Sequence, residues 1–246
     1  MDLGLQGRRA IVCGGSAGIG LGIAEALADE GANVVLFARR RDVLEHEAER
    51  IGALAVAGDV TVAGDLERLV ESAVDRFGGI DILVNNSGGP PRTPARGLDE
   101  EQVLAAARLL LVSVVRLTGL CLPHLEKSPA GRIVNVTSST VREPVENLAL
   151  SNAVRPGVIG WAKTMARELG PSGITVNSIA PGRIDTERIR EVWPEGPTEE
   201  DLASIPLQRL GKPREIGDLV AFLCSDRASY ISGTVIPVDG GLLRGL

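Results

Sequence analysis

The stretch that decides the fold is Arg9-Ala10-Ile11-Val12-Cys13-Gly14-Gly15-Ser16-Ala17-Gly18-Ile19-Gly20. A short apolar, strand-like run ends at Cys13, glycines follow, and a helical pattern opens at Gly18. Glycine lets the chain turn tightly and lets its backbone approach a ligand. A helix N-terminus adds free N–H groups and the positive end of the helix dipole. In this strand-to-helix context, Gly14, Ser16, Ala17, Gly18, Ile19 and Gly20 read as a cradle for the two linked phosphates of a dinucleotide. The competing reading is a glycine-rich turn that holds nothing.

Working outward, β-branched runs alternate with helical patterns along the whole chain. Strands are expected near Arg9–Cys13, Asn33–Ala38, Ala53–Ala57, Ile80–Asn85, Arg132–Thr137, Ile174–Ala180 and Val235–Val238. Helices are expected near Gly18–Glu30, Asp42–Ile51, Ala63–Phe77, Asp99–Leu125, Leu150–Leu169 and Pro213–Ser225. This alternation predicts an α/β, Rossmann-type fold: a doubly wound parallel sheet of about seven strands with helices on both faces. No linker or repeat divides the chain, so residues 1–246 are expected to form a single domain. Aromatic residues are only 2% and aliphatic ones abundant, as suits strands buried on both faces.

Composition also excludes. A net charge of −6 and few aromatics argue against a nucleic-acid partner. Three dispersed cysteines, Cys13, Cys121 and Cys224, are expected as buried free thiols of a cytoplasmic, reducing compartment. No secretory signal is expected, and no metal site. The apolar stretch Val103–Leu122 carries Arg108 and Arg116, which argues against a membrane span. It reads as a helix buried on more than one face, either in the core or, the favoured reading, at a homo-oligomer interface.

After the second strand comes Arg39-Arg40-Arg41, where an NAD site would place an acid for the ribose 2′-OH. Arginines instead match a 2′-phosphate, so NADP(H) is favoured over NAD(H), with Arg39 as main contact and Arg40 beside it. A solvated basic turn is the alternative.

With these residues in view, the chain resembles the short-chain dehydrogenase/reductase family over essentially its full length. Its pattern is most like the 3-oxoacyl-carrier-protein reductases. Cys13 to Gly20 resembles TGxxxGIG, with Cys for Thr. The likeness implies that Asp59 and Val60 contact adenine and that Asn86, Ser87 and Gly88 belong to an NNAG-like motif. It also implies that Pro181, Gly182, Ile184 and Thr186 hold the nicotinamide end, and that a tetramer or dimer acts on a small carbonyl or alcohol.

The catalytic motif departs from that pattern. Ser138 stands at the family's serine, but Ser151 and Arg155 stand where YxxxK is expected, and Leu110 falls at the helical Asn. Serine lacks a phenol's acidity and reach. Arg155 stays charged and could donate to ribose hydroxyls, yet shuttles protons poorly. Pro156 is expected to kink its helix. Arg142 and Glu143 are considered as substitute acid–base groups, against plain solvation. Tyr230 reads as structural, and His46 and His124 as surface residues. The segment 186–208, with Ile189, Val192, Trp193 and Leu207, reads as a substrate lid or an exposed loop. Three functions stay open: a reductase with an atypical proton relay, an inactive NADP(H)-binding subunit or sensor, and, ranked last, a non-redox enzyme on the same fold.

Overall fold

The computed structural model describes residues 2–191 and 193–245; Val192 of the expected lid lies outside them. Seven parallel strands form one sheet: β1 (Arg9–Cys13), β2 (Asn33–Ala38), β3 (Leu54–Ala57), β4 (Ile82–Asn85), β5 (Arg132–Val136), β6 (Thr175–Pro181) and β7 (Val235–Val238). Their order is β3-β2-β1-β4-β5-β6-β7. The chain starts in the middle, winds outward to β3, then returns to β4 beside β1, so a crevice opens above the carboxyl ends of β1 and β4.

Alternate residues of each strand point to opposite faces. Val12 of β1 therefore joins a core with Leu27 of α1 (Gly18–Asp29) and Val220 of α9 (Pro213–Cys224). Its neighbours Ile11 and Cys13 join the other core, with Leu66 of α3 (Ala63–Phe77) and Ala162 of α6 (Ala149–Leu169). Between β2 and β3 runs α2 (Arg41–Ile51), closed by Gly52 in the left-handed conformation.

The helix expected over Asp99–Leu125 is not continuous. It consists of α4 (Glu100–Ala107), one wide π-type turn at Arg108–Val112, and α5 (Ser113–Leu125). A capping box of Asp99 and Gln102 starts α4. By length and composition the stretch Glu100–Leu125 could cross a membrane. Its inner side, Leu117, Cys121 and Leu125, instead packs into the core against α3 and α6. Val103, Leu104, Val112 and Val115 remain exposed. Pro156 does not end α6: the helix runs through it, with the proline on the exposed side.

The expected lid folds into two short helices, α7 (Glu187–Arg190) and α8 (Glu199–Ala203). Arg183 stacks its guanidinium on Trp193, 5.1 Å from the ring centre, and donates to Asp201 O at 2.8 Å.

Candidate functional site

The glycine turn is built for close approach. Gly14 has φ +64°, and a Cβ there would lie 2.5 Å from Asn86 Nδ2. A Cβ at Gly20 would lie 2.1 Å from Gly14 O. Asn86, at the end of β4, staples the turn by donating from Nδ2 to Cys13 O at 3.1 Å. Helix α1 then begins after Ala17 with no side-chain cap, so its first N–H groups face the crevice unclaimed by any side chain. Ser16 is buried beneath them, and Ile19 packs partly against the core.

On one side of the turn, Arg39 and Arg40 leave β2 exposed. Arg40 pairs with Glu187 of α7 at 3.2 Å, whereas Arg39 has no ion-pair partner among the described residues. Asp59 directs its carboxylate into its own turn, accepting from Thr61 N–H at 2.8 Å and from Thr61 Oγ1 at 2.7 Å. Val60 lies beside it and lines the crevice floor. On the other side, Gly182 N–H donates to Val238 O at 3.0 Å, Ile184 is buried, and Thr186 stands against Gly18. Arg188 reaches across to Pro90 O at 2.8 Å. The 186–208 segment is thus tied to β2's exit and to the loop after β4, over the same crevice, and does not simply hang in solvent.

Beyond β5 the backbone is extended at Ser138. Ser138 Oγ accepts from Thr140 N–H at 3.2 Å, and Thr140 Oγ1 lies 3.1 Å from Ser151 Oγ. The two predicted serines are therefore linked through Thr140, which the sequence reading overlooked; its only signal was the Ser-Ser-Thr run. Leu110, from the π-type turn, packs against Leu150 and Val154 on either side of Ser151.

Arg155 is 8% exposed. Its Nη1 donates to Val136 O at 3.3 Å, and burial pushes its pKa down to about 10, still charged at neutral pH. It lines a cavity of about 20 Å³ with Cys13, Asn86, Ser87, Leu110 and Asn135. The cysteines are all free and buried, and burial raises the Cys13 thiol to about 12, so it is an inert wall.

Two candidates are corrected. Arg142 donates to Val235 O at 3.3 Å, and Glu143 Oε1 accepts from the N–H groups of Arg244 and Gly245 at 2.8 and 2.7 Å. Both are engaged by β7 and the C-terminal tail. Tyr230 is fully exposed, consistent with a structural surface role.

Residues 14–243 match the family model described as Enoyl-(Acyl carrier protein) reductase. The chain is 38% identical over 244 residues to the 3-oxoacyl-[acyl-carrier-protein] reductase FabG of Vibrio cholerae, covering 98% of this chain and 99% of that protein. It is 35% identical to Dehydrogenase/reductase SDR family member 4 of Oryctolagus cuniculus, covering 96% and 94%. Among solved structures, L-sorbose reductase from Gluconobacter frateurii, complexed with NADPH and L-sorbose, superposes with a TM-score of 0.94 at 33% identity over 100% of both chains. The NADPH-dependent reductase YwfH, involved in bacilysin biosynthesis, superposes at 0.93 with 28% identity, covering 98% and 100%. Likeness that runs end to end in both partners, on the same sheet order, leaves one conclusion: this chain belongs to the short-chain dehydrogenase/reductase family.

Proposed function

We propose that the protein is an NADP(H)-dependent oxidoreductase interconverting a small carbonyl and an alcohol, of the 3-oxoacyl-acyl-carrier-protein reductase type, with a proton relay unlike the family's. The observation that carries this is the uncapped helix start at Gly18, held open by Asn86, beside an exposed Arg39 with no acidic neighbour in its turn.

The residues present fit a dinucleotide. Backbone N–H groups from Ser16 to Gly20 would hold the pyrophosphate, Asp59 and Val60 the adenine, and Arg39 with Arg40 a 2′-phosphate. Asn86, Ser87, Gly88, Pro181, Gly182, Ile184 and Thr186 line the nicotinamide side, and Arg155 lies beneath it. When bound, the coenzyme supplies or accepts hydride. The chain's own part is to orient the carbonyl and move a proton. Ser138, Thr140 and Ser151 offer a row of hydroxyls that orients the substrate oxygen and passes the proton from water. Ser151 and Arg155 take the places of the family's Tyr and Lys, so general-acid assistance, commonly worth about 10²–10⁴-fold, is reduced. The 186–208 segment acts as the lid, on one domain. The protein works as a homodimer or homotetramer, in the cytoplasm.

A second reading, a non-catalytic NADP(H)-binding subunit or sensor, is favoured by one observation. No phenol, ammonium or carboxylate lines the cavity under the crevice among the described residues.

Calorimetric titration and turnover separate these readings. NADPH should bind at least tenfold more tightly than NADH, a difference of about 1.4 kcal/mol, and Arg39→Ala should abolish the preference. NADPH oxidation with a panel of ketones and 3-oxoacyl thioesters supports the enzyme; tight binding without turnover supports the sensor. Failure to bind either coenzyme sinks both.

A further inference from the structure

The cavity beneath the crevice has an electrostatic problem that the dinucleotide reading leaves unsolved. Arg155 Nε and Asn135 Nδ2 are both buried and have no hydrogen-bond partner among the described residues. Asn135 is 1% exposed, and its orientation is set from the other side, because Oδ1 accepts from Asn85 Nδ2 at 2.9 Å. Both residues line the same cavity. The guanidinium cannot shed its proton under ordinary conditions. A buried charge without a counter-charge is strongly unfavourable.

No Asp or Glu lines the cavity among the described residues. Cys13 is the lining group best able to become an anion, and burial keeps it a thiol. Ser113 already spends its hydroxyl on Leu109 O at 2.6 Å. A volume of about 20 Å³ has room for one water-sized species, too little for a carboxylate or phosphate. Water would satisfy the two donors and leave the charge uncompensated.

We infer that this cavity is a binding site for a small monovalent inorganic anion, of the halide class, held by Arg155 Nε and Asn135 Nδ2. The site stands apart from the dinucleotide reading, and its test uses the protein without coenzyme.

Crystals of the wild-type protein grown in sodium bromide should show an anomalous peak within hydrogen-bond distance of both nitrogens. In solution, bromide should raise the melting temperature by about 2–4 °C over gluconate at equal ionic strength. Arg155→Met, measured in the same salts, should lose that difference. A map with no bromide at these nitrogens overturns the proposal, and so does an equal shift in Arg155→Met. A peak without a wild-type shift means binding at crystal concentration only and also overturns it. If Arg155→Met does not fold, the wild-type map and shift together decide.

Discussion

At the scale of single residues, the site turns on what Ser151 touches. Its hydroxyl is 5% exposed in company with Thr140, and Arg155 lies one helical turn further on. A phenol at 151 would extend past Thr140 toward the crevice, and an ammonium at 155 would lower its pKa by proximity. The double variant Ser151→Tyr, Arg155→Lys should therefore raise kcat/KM for carbonyl reduction at least tenfold, with NADPH affinity little changed. Steady-state kinetics across a ketone panel checks this. An unchanged rate with intact coenzyme binding would place the block at Leu110, whose side chain occupies the ground between the two helices.

At the scale of elements, the strand starts are clamped by one carboxylate. Asp81, just before β4, accepts from Arg9 N–H at 2.9 Å, Arg9 Nε at 2.7 Å, Arg9 Nη2 at 2.6 Å and Ser128 Oγ at 2.6 Å. It thereby ties β1, β4 and the approach to β5 together. Burial alone would raise its pKa, but the Arg9 and Ser128 hydrogen bonds and the Arg9 charge outweigh that and hold it below the usual carboxylate range. A depressed folded-state pKa contributes stability that is fully present above the unfolded value, about 3.9, and lost as pH falls through the folded one. Asp81→Asn should cost about 2–3 kcal/mol at pH 7 in urea unfolding, since it leaves a partly buried Arg9 unpaired. The same variant should lose less stability than wild type between pH 5 and pH 2, within about that range. The π-type turn at Arg108–Val112 acts at this scale too, because it delivers Leu110 between α4 and α6.

At the scale of the whole molecule, one surface is out of keeping with the rest. Val103, Leu104, Val112 and Val115 are 40%, 46%, 40% and 40% exposed on the outer side of α4 and α5. A continuous apolar stripe of this kind on a chain of net charge −6 fits a contact between identical copies. Light scattering after size exclusion should give a dimer or tetramer, and Val112→Glu with Val115→Glu should shift it to smaller species. A monomeric wild type at micromolar concentration would remove the interface.

Read alone, the chain determines the strand–helix alternation, the glycine turn and the bounds of β1, β2, α3 and β7, because periodicity and glycine placement are local signals. Those signals also pick out Ser138, Ser151 and Arg155, which do stand close together in space. Other features depend on contacts between residues far apart in sequence. Glu143 is taken by Arg244 and Gly245 from the other end of the chain, and Arg40 by Glu187. Thr140 becomes the link between two serines, and Arg155 finds no counter-charge, only after β5, α5 and α6 are packed. Hydrogen-bond partners and buried charge are properties of that packing, so only the tertiary structure decided them.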